Sequence, residues 1–178
     1  MTPDFPALLD ELHRRCDGQV VSSSGHVVAS TEALPGVPWQ PLERLGVAVL
    51  PERPPSPAAT ADRFADGLLD VHRDLVRRTI DHAMRHLDSR TSDGGTLLSK
   101  QQVQATLADV AMELWECEAA PAADRRQRWA VHQRLTTAAR DLLRLLGASG
   151  FLADSPGRDL HLAEVVGNVY LHPGAEDD

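Results

Sequence analysis

A mainly α fold is predicted here: an up-down four-helix bundle carrying a small N-terminal helix and β-hairpin appendage. Three observations on the 178 residues predict it. Apolar residues recur at helical spacing from Ala58 onward, the segments that carry them are joined by short loops, and β-branched runs are confined to residues 19–50. The expected organisation is an appendage with a Pro-rich linker over 1–57, a helical bundle over 58–172, and an acidic tail over 173–178.

The appendage opens with residues 4–16, where Leu8, Leu9 and Leu12 fall at helical spacing and Gly18 supplies a stop. Gln19–Val21 and His26–Val28 flank the turn residues Ser22–Gly25 and predict a hairpin, with one more strand at Leu45–Leu50. Pro51, Pro54, Pro55 and Pro57 then exclude a continuous helix. A first long helix is expected over 60–89, with Phe64, Leu68, Val71 and Leu75 on one stripe and Val76, Ile80, Ala83 and Leu87 on the next. Ser99-x-x-Gln102 has the spacing of a capping box and opens a stripe of Val103, Leu107, Val110 and Leu114. Pro121 suits the first turn of a third helix, whose stripe is Val131, Leu135, Ala138, Leu142 and Leu145 and whose end is Gly147. A shorter helix over about 158–170 carries Leu160, Ala163, Val166 and Tyr170.

Composition narrows the function classes. With 42% hydrophobic and 25% charged residues the chain is expected to fold rather than remain disordered. The 26 acids outnumber 18 bases and both are spread along the chain, a balance unsuited to gripping nucleic acid or an anionic membrane. Of those bases 17 are Arg and only Lys100 is Lys, which looks like a high-GC coding bias and weakens any argument from Arg number alone. Cys16 and Cys117 cannot form a disulfide framework. No apolar run approaches the roughly 18 residues of a membrane span, and Met-Thr-Pro-Asp-Phe-Pro has neither the basic nor the apolar part of a secretion signal. A cytoplasmic protein with reduced thiols is the expectation.

Several residues have chemistry that their spacing leaves open. His82 and His86 are four apart, a spacing that can hold a metal, with His72 one stripe away. No motif places a third ligand, so no metal site is expected and solvent-facing histidines are the plainer reading. Glu113, Glu116 and Glu118 could furnish a base but fit an exposed acidic stretch better. Trp115 and Trp129 suit interhelical core or an oligomer face, Cys117 a buried thiol, and Gly147–Gly150 either a helix C-cap or an approach for an anion.

The stretch Arg90-Thr-Ser-Asp-Gly-Gly-Thr-Leu-Leu-Ser-Lys-Gln101-Gln-Val-Gln-Ala-Thr-Leu-Ala-Asp-Val110 resembles the C-terminal helical domain of acyl-CoA dehydrogenases. That family has Arg-x-Gln-Phe-Gly, followed by Gln-x-x-Gln-x-x-Leu-Ala-Asp-Met at the same spacing. Thr79–Leu87 sits in register with its first long helix, and Leu145-Leu-Gly-Ala-Ser-Gly-Phe151 resembles its Gly-Gly-x-Gly-Tyr turn. Asp154-Ser-Pro-Gly-Arg158 with His161-Leu-Ala163 is similar to its Pro-x-x-Arg-x-x-Arg-Asp-Ala, one residue short. The resemblance covers about residues 60–170.

The resemblance implies a flavin (FAD) held between this bundle and a β-domain, with neighbouring bundles contributing contacts. It also implies an acyl thioester substrate, a carboxylate base, and hydride transfer to the flavin. Arg90 stands at the pyrophosphate-binding position, while Arg144 and Gly147 stand at the flavin-contacting Gln and the first Gly of the turn. The departures are as informative. Asp93 replaces the family's Phe, Ala148 its second Gly, and His161 and Leu162 its Arg-Asp pair. Where the family has Tyr-Glu-Gly-Thr the chain has Gly167-Asn-Val-Tyr-Leu-His-Pro-Gly174, with no Glu. Asp62 lies near an alternative base position but about two residues out of register. The family's N-terminal helical domain and most of its β-domain have no counterpart here.

These readings lead to a helical subunit that acts in an oligomer, with itself or with a longer dehydrogenase-like chain, and contributes to a flavin or acyl-thioester site of a CH–CH oxidoreductase. The catalytic residue is left unassigned. Two alternatives stay open: a flavin-free enzyme of specialised metabolism acting on a thioester or related metabolite by acid–base chemistry, and a non-catalytic binding protein.

Overall fold

The computed structural model describes residues 3–34, 42–51, 53–152 and 155–173. Asp154, Gly174 and the remainder of the expected acidic tail lie outside them. Helix α1 (Phe5–Arg15) begins where Asp4 Oδ1 accepts the Ala7 N–H at 3.2 Å, and it buries Phe5, Leu9, Leu12 and His13. Strands β1 (Val27–Ser30) and β2 (Val47–Leu50) form an antiparallel pair, with Val27 opposite Leu50 and Ser30 opposite Val47.

This corrects the expected hairpin. Gln19–Val21 is not a strand, although Ser22–Gly25 does turn, closed by Ser22 N–H donating to His26 O at 2.8 Å. The reason is that side chains take up the local backbone groups. The Val20 N–H donates to His13 Nδ1 at 3.0 Å, the Val21 N–H to Ser56 Oγ at 2.9 Å, and Tyr170 Oη donates to Val20 O at 2.9 Å. Residue 27 onward pairs instead with the later strand.

Helix α2 (Ala58–Asp88) runs for 31 residues, about 46 Å at the standard rise. A small ribbon follows, β3 (Thr91–Ser92) against β4 (Gly95–Thr96), around Asp93 and Gly94 at φ +50° and +80°. Asp-Gly with both residues left-handed is the favoured two-residue hairpin turn. Helix α3 (Gln101–Ala119) starts without the expected capping box, because Ser99 lies in a short 3-10 turn and its hydroxyl donates to Thr96 O at 2.7 Å. Helix α4 (Arg125–Leu146) starts later than Pro121. Its box is Asp124 with Gln127: Asp124 Oδ1 accepts the Gln127 N–H at 2.8 Å, and Gln127 Oε1 accepts the Ala123 N–H at 2.9 Å. Gly147 ends it at φ +58°. Helix α5 (Pro156–Tyr170) opens two residues before its expected start, capped by Ser155.

Cross-contacts fix the bundle order. Arg77 of α2 pairs with Glu118 of α3, Arg134 of α4 with Glu113 and Glu116 of α3, and His132 of α4 meets Asn168 of α5. Near α2's start Arg128 pairs with Asp62 and Asp66, whereas at its end Ser149 meets His86. Helices α2 and α4 therefore run one way and α3 and α5 the other. The predicted stripes supply the core: Phe64, Leu68, Leu107, Leu114, Leu135, Leu142, Leu160 and Val166 are all buried. Val71, Ile80, Val103 and Leu145 are half-buried at its edge. The appendage is fastened to the bundle at an aromatic knot, where His13 stacks on Phe64 (ring centroids 4.7 Å apart) and Phe64 lies 4.6 Å from Tyr170, and by Arg158 of α5, which donates from Nη2 to Leu45 O at 2.9 Å.

Candidate functional site

Two ends of the bundle carry the chemistry. The first lies where α2 ends and the α4–α5 connection begins. Arg90 follows α2 directly and its guanidinium is exposed; Arg90 Nη1 donates to His86 Nε2 at 3.4 Å, and Ser149 Oγ lies 3.1 Å from that same nitrogen. His86 thus links Arg90 to the Gly147–Phe151 turn. His82 stacks in parallel one turn back, 6.2 Å between ring centroids. Partial burial, with the neighbouring His86 and Arg85, pushes its pKa below the ordinary histidine value.

Gly147 is exposed, and a Cβ built on it meets nothing within 4 Å. Its backbone is therefore approachable. Gly150 is packed instead against Leu143 and Leu146. Arg144 stands one turn before Gly147 but is turned to Asp141 in an exposed ion pair, so the structure does not join it to Arg90. Asp93 sits at the exposed tip of the β3–β4 ribbon, where its carboxylate accepts the Ser92 hydroxyl at 3.1 Å.

The second end is the one that sequence reasoning largely missed. Arg128, only 7% exposed, donates from Nη1 to Asp62 at 2.6 Å and from Nε to Asp66 at 2.7 Å. Asp62, weighed above as a base, is thus one arm of a structural clamp. One turn further, His132 is fully buried; its Nε2–H donates to Asn168 Oδ1 at 3.2 Å, which leaves Nδ1 without a partner. Its ring packs closely against Gly167, where an added Cβ would stand 2.2 Å from Cε1. His72 of α2 is 5.4 Å from it by ring centroids, and neither His72 nitrogen has a hydrogen-bond partner.

His72 therefore corrects the expectation of solvent-facing histidines. Burial first, and then the neighbouring His132, push its pKa down to about 3; burial lowers His132 as well. Trp129 bridges outward, 5.4 Å from His132 and 4.9 Å from His172. The i, i+4 pair Arg128 and His132 on a face otherwise built from Val131 and Leu135 was the available signal for this end.

The other candidates resolve simply. Glu113 and Glu116 hold Arg134, and Glu118 holds Arg77. Cys117 is fully buried and burial raises its thiol pKa. Trp129 is half-buried, but Trp115 is 72% exposed and is not interhelical core. Among the described residues no cluster of three or more His, Cys, Asp or Glu is spaced to hold a metal ion, and no helix is long and apolar enough to cross a membrane.

The up-down order of the helices is the fold of the helical domain of acyl-CoA dehydrogenases, as likeness to solved structures shows. A variant of the Tcur3481-Tcur3483 steroid acyl-CoA dehydrogenase superimposes with a TM-score of 0.51 at 20% identity, over 69% of this chain and 40% of that one. Butyryl-CoA dehydrogenase from Megasphaera elsdenii superimposes with a TM-score of 0.51 at 16% identity, over 70% of this chain and 40% of that one. The match thus spans less than half of either dehydrogenase. No protein-family model matches the chain, and no curated protein matches it in sequence.

Proposed function

We propose that this chain is an acyl-CoA-dehydrogenase-like helical subunit that works in an oligomer, lending one end of its bundle to a flavin or acyl-thioester site of a CH–CH oxidoreductase whose remaining walls come from a partner chain. The observation that carries this is the junction of Arg90, His86 and Ser149 beside the open Gly147 backbone. These residues fit the phosphate part of a flavin nucleotide: an exposed guanidinium fork suits phosphate oxygens, and a glycine turn lets an anion approach backbone groups. A bound flavin would supply hydride acceptance.

This chain's own part is binding and orientation. Arg90 would hold phosphate, with His86 keeping its guanidinium in place; Gly147 would leave room for the ligand; Arg144 would join only after leaving Asp141. The base is assigned to the partner. Residues 165–173 contain no Asp or Glu, and both Asp62 and Asp66 are committed to Arg128. A two-protein name such as Tcur3481-Tcur3483 supports looking for a second chain.

The test is affinity purification of the full chain from its native host, scored for bound flavin and for the identity of co-purifying protein. A longer dehydrogenase-like partner with flavin is expected, and Arg90→Ala should retain the partner while losing most of the flavin. Recovery of neither flavin nor such a partner overturns the proposal.

A further inference from the structure

Between α4 and α5 lies a cavity of about 250 Å³ that the flavin reading does not use. Ala139 and Leu143 of α4 and Gly157 and Leu160 of α5 form its inner walls, and all four are buried. Thr136 stands beside them, 5% exposed, and its hydroxyl has no hydrogen-bond partner. Other helical threonines behave differently. Thr79, Thr106 and Thr137 each donate to the carbonyl four residues earlier, at 2.7, 3.1 and 3.0 Å. Thr136 has the same option at His132 O and leaves it untaken. A buried hydroxyl without a partner is costly, and here it adjoins open space. The outer end of the cavity is polar: Arg140 donates to Glu164 across the two helices at 2.5 Å, and His161 is exposed beside them.

We propose that this cavity binds a small neutral molecule, a single ring bearing one hydroxyl, whose oxygen accepts the Thr136 Oγ1–H while the ring fills the space between Ala139, Leu143, Gly157 and Leu160. The polar group has to arrive on an apolar body. A water molecule needs two to four polar partners, and Thr136 is the one polar side chain among the buried residues of the lining. Volume sets the body's size. An apolar cavity of about 150 Å³ holds benzene, so this one takes a substituted ring and no second ring system. Shape agrees, because Ala139 and Gly157 put almost no side chain between the two helices and leave a slot. Charge is excluded: an ionised group carried inward would lose its water, and Arg140 is already matched by Glu164. The site uses neither Arg90 nor Gly147, so it stands or falls apart from the flavin reading.

Phenol and toluene nearly match in shape and differ in the hydroxyl, so they are the probes. Titration of the full chain, followed by amide NMR, should give a phenol dissociation constant of about 1 mM, with the largest shifts at Ala139, Leu143, Gly157 and Leu160. Thr136→Val removes the hydroxyl at nearly constant volume and breaks no hydrogen bond, so the fold is kept. In that variant the ratio of phenol affinity to toluene affinity should fall about tenfold. Benzoate should bind the natural chain at least about tenfold more weakly than phenol. Absence of shifts at these positions with phenol, a phenol-to-toluene ratio unchanged by Thr136→Val, or benzoate binding as well as phenol overturns the proposal.

Discussion

Acidification should loosen the bundle through His72. The ring is 2% exposed, its nitrogens are unpartnered, and its folded pKa near 3 lies below the ordinary 6.5. A depressed histidine pKa means that the unfolded chain binds the proton more readily. Stability from this group is therefore complete above pH 6.5 and declines as pH falls toward 3, by about 1.4 kcal/mol per pH unit. At pH 5 the loss is about 2 kcal/mol, which for a chain of this size lowers the melting temperature by about 4–8 °C. The matched variant is His72→Leu, which keeps the volume and removes the titrating ring. At pH 7.5 it should be as stable as the natural chain or more so, because no hydrogen bond is lost. Thermal melts of both proteins at pH 7.5 and pH 5 isolate the histidine from the carboxylates. Equal pH dependence in the two proteins would refute the reasoning.

Two further outcomes concern the same end of the bundle. Gly167→Ala places a methyl group within 2.2 Å of His132 Cε1 and should cost roughly 3 kcal/mol or more in urea denaturation, with much of that recovered when His132→Ala is added. For the Arg128 clamp an order is expected: Asp62→Asn with Asp66→Asn, which strands a buried guanidinium, should cost about 2–4 kcal/mol. Arg128→Leu, which frees two carboxylates that are each more than half exposed, should cost less, and urea midpoints of the variants give the comparison.

The helices were legible because their signal is local and repeated: the stripe from Phe64 to Leu75 and that from Val131 to Leu142 are set by the period of the helix itself. The strand pairing was not, since Val20 and Val21 have strand-like side chains but spend their backbone groups on His13, Ser56 and Tyr170, residues up to 150 positions away. The caps failed for a milder reason. Ser99 and Asp124 both have the spacing of a capping box, and only the preceding 3-10 turn decides that Ser99 turns back to Thr96. At the candidate site, Arg90 and Gly147 were reachable through resemblance. The contact between His86 and Ser149, 63 residues apart, and the burial of His72 against His132 depend on how α2 and α4 face one another. No spacing rule within one helix encodes that.

Tyr170 has a consequence for how the chain reaches this state. Its hydroxyl accepts the Val28 N–H and donates to Val20 O, both at 2.9 Å, so the last helix holds the first strand across more than 140 residues. A nascent chain leaves the ribosome with its β1–β2 ribbon lacking that partner until Tyr170 has been made and has emerged. Contacts this distant in sequence form late and slow the search. The β1–β2 ribbon should therefore lock last, and a ribosome stalled before Tyr170 would present a nascent chain with α5 unfinished and that ribbon open to proteases and chaperones.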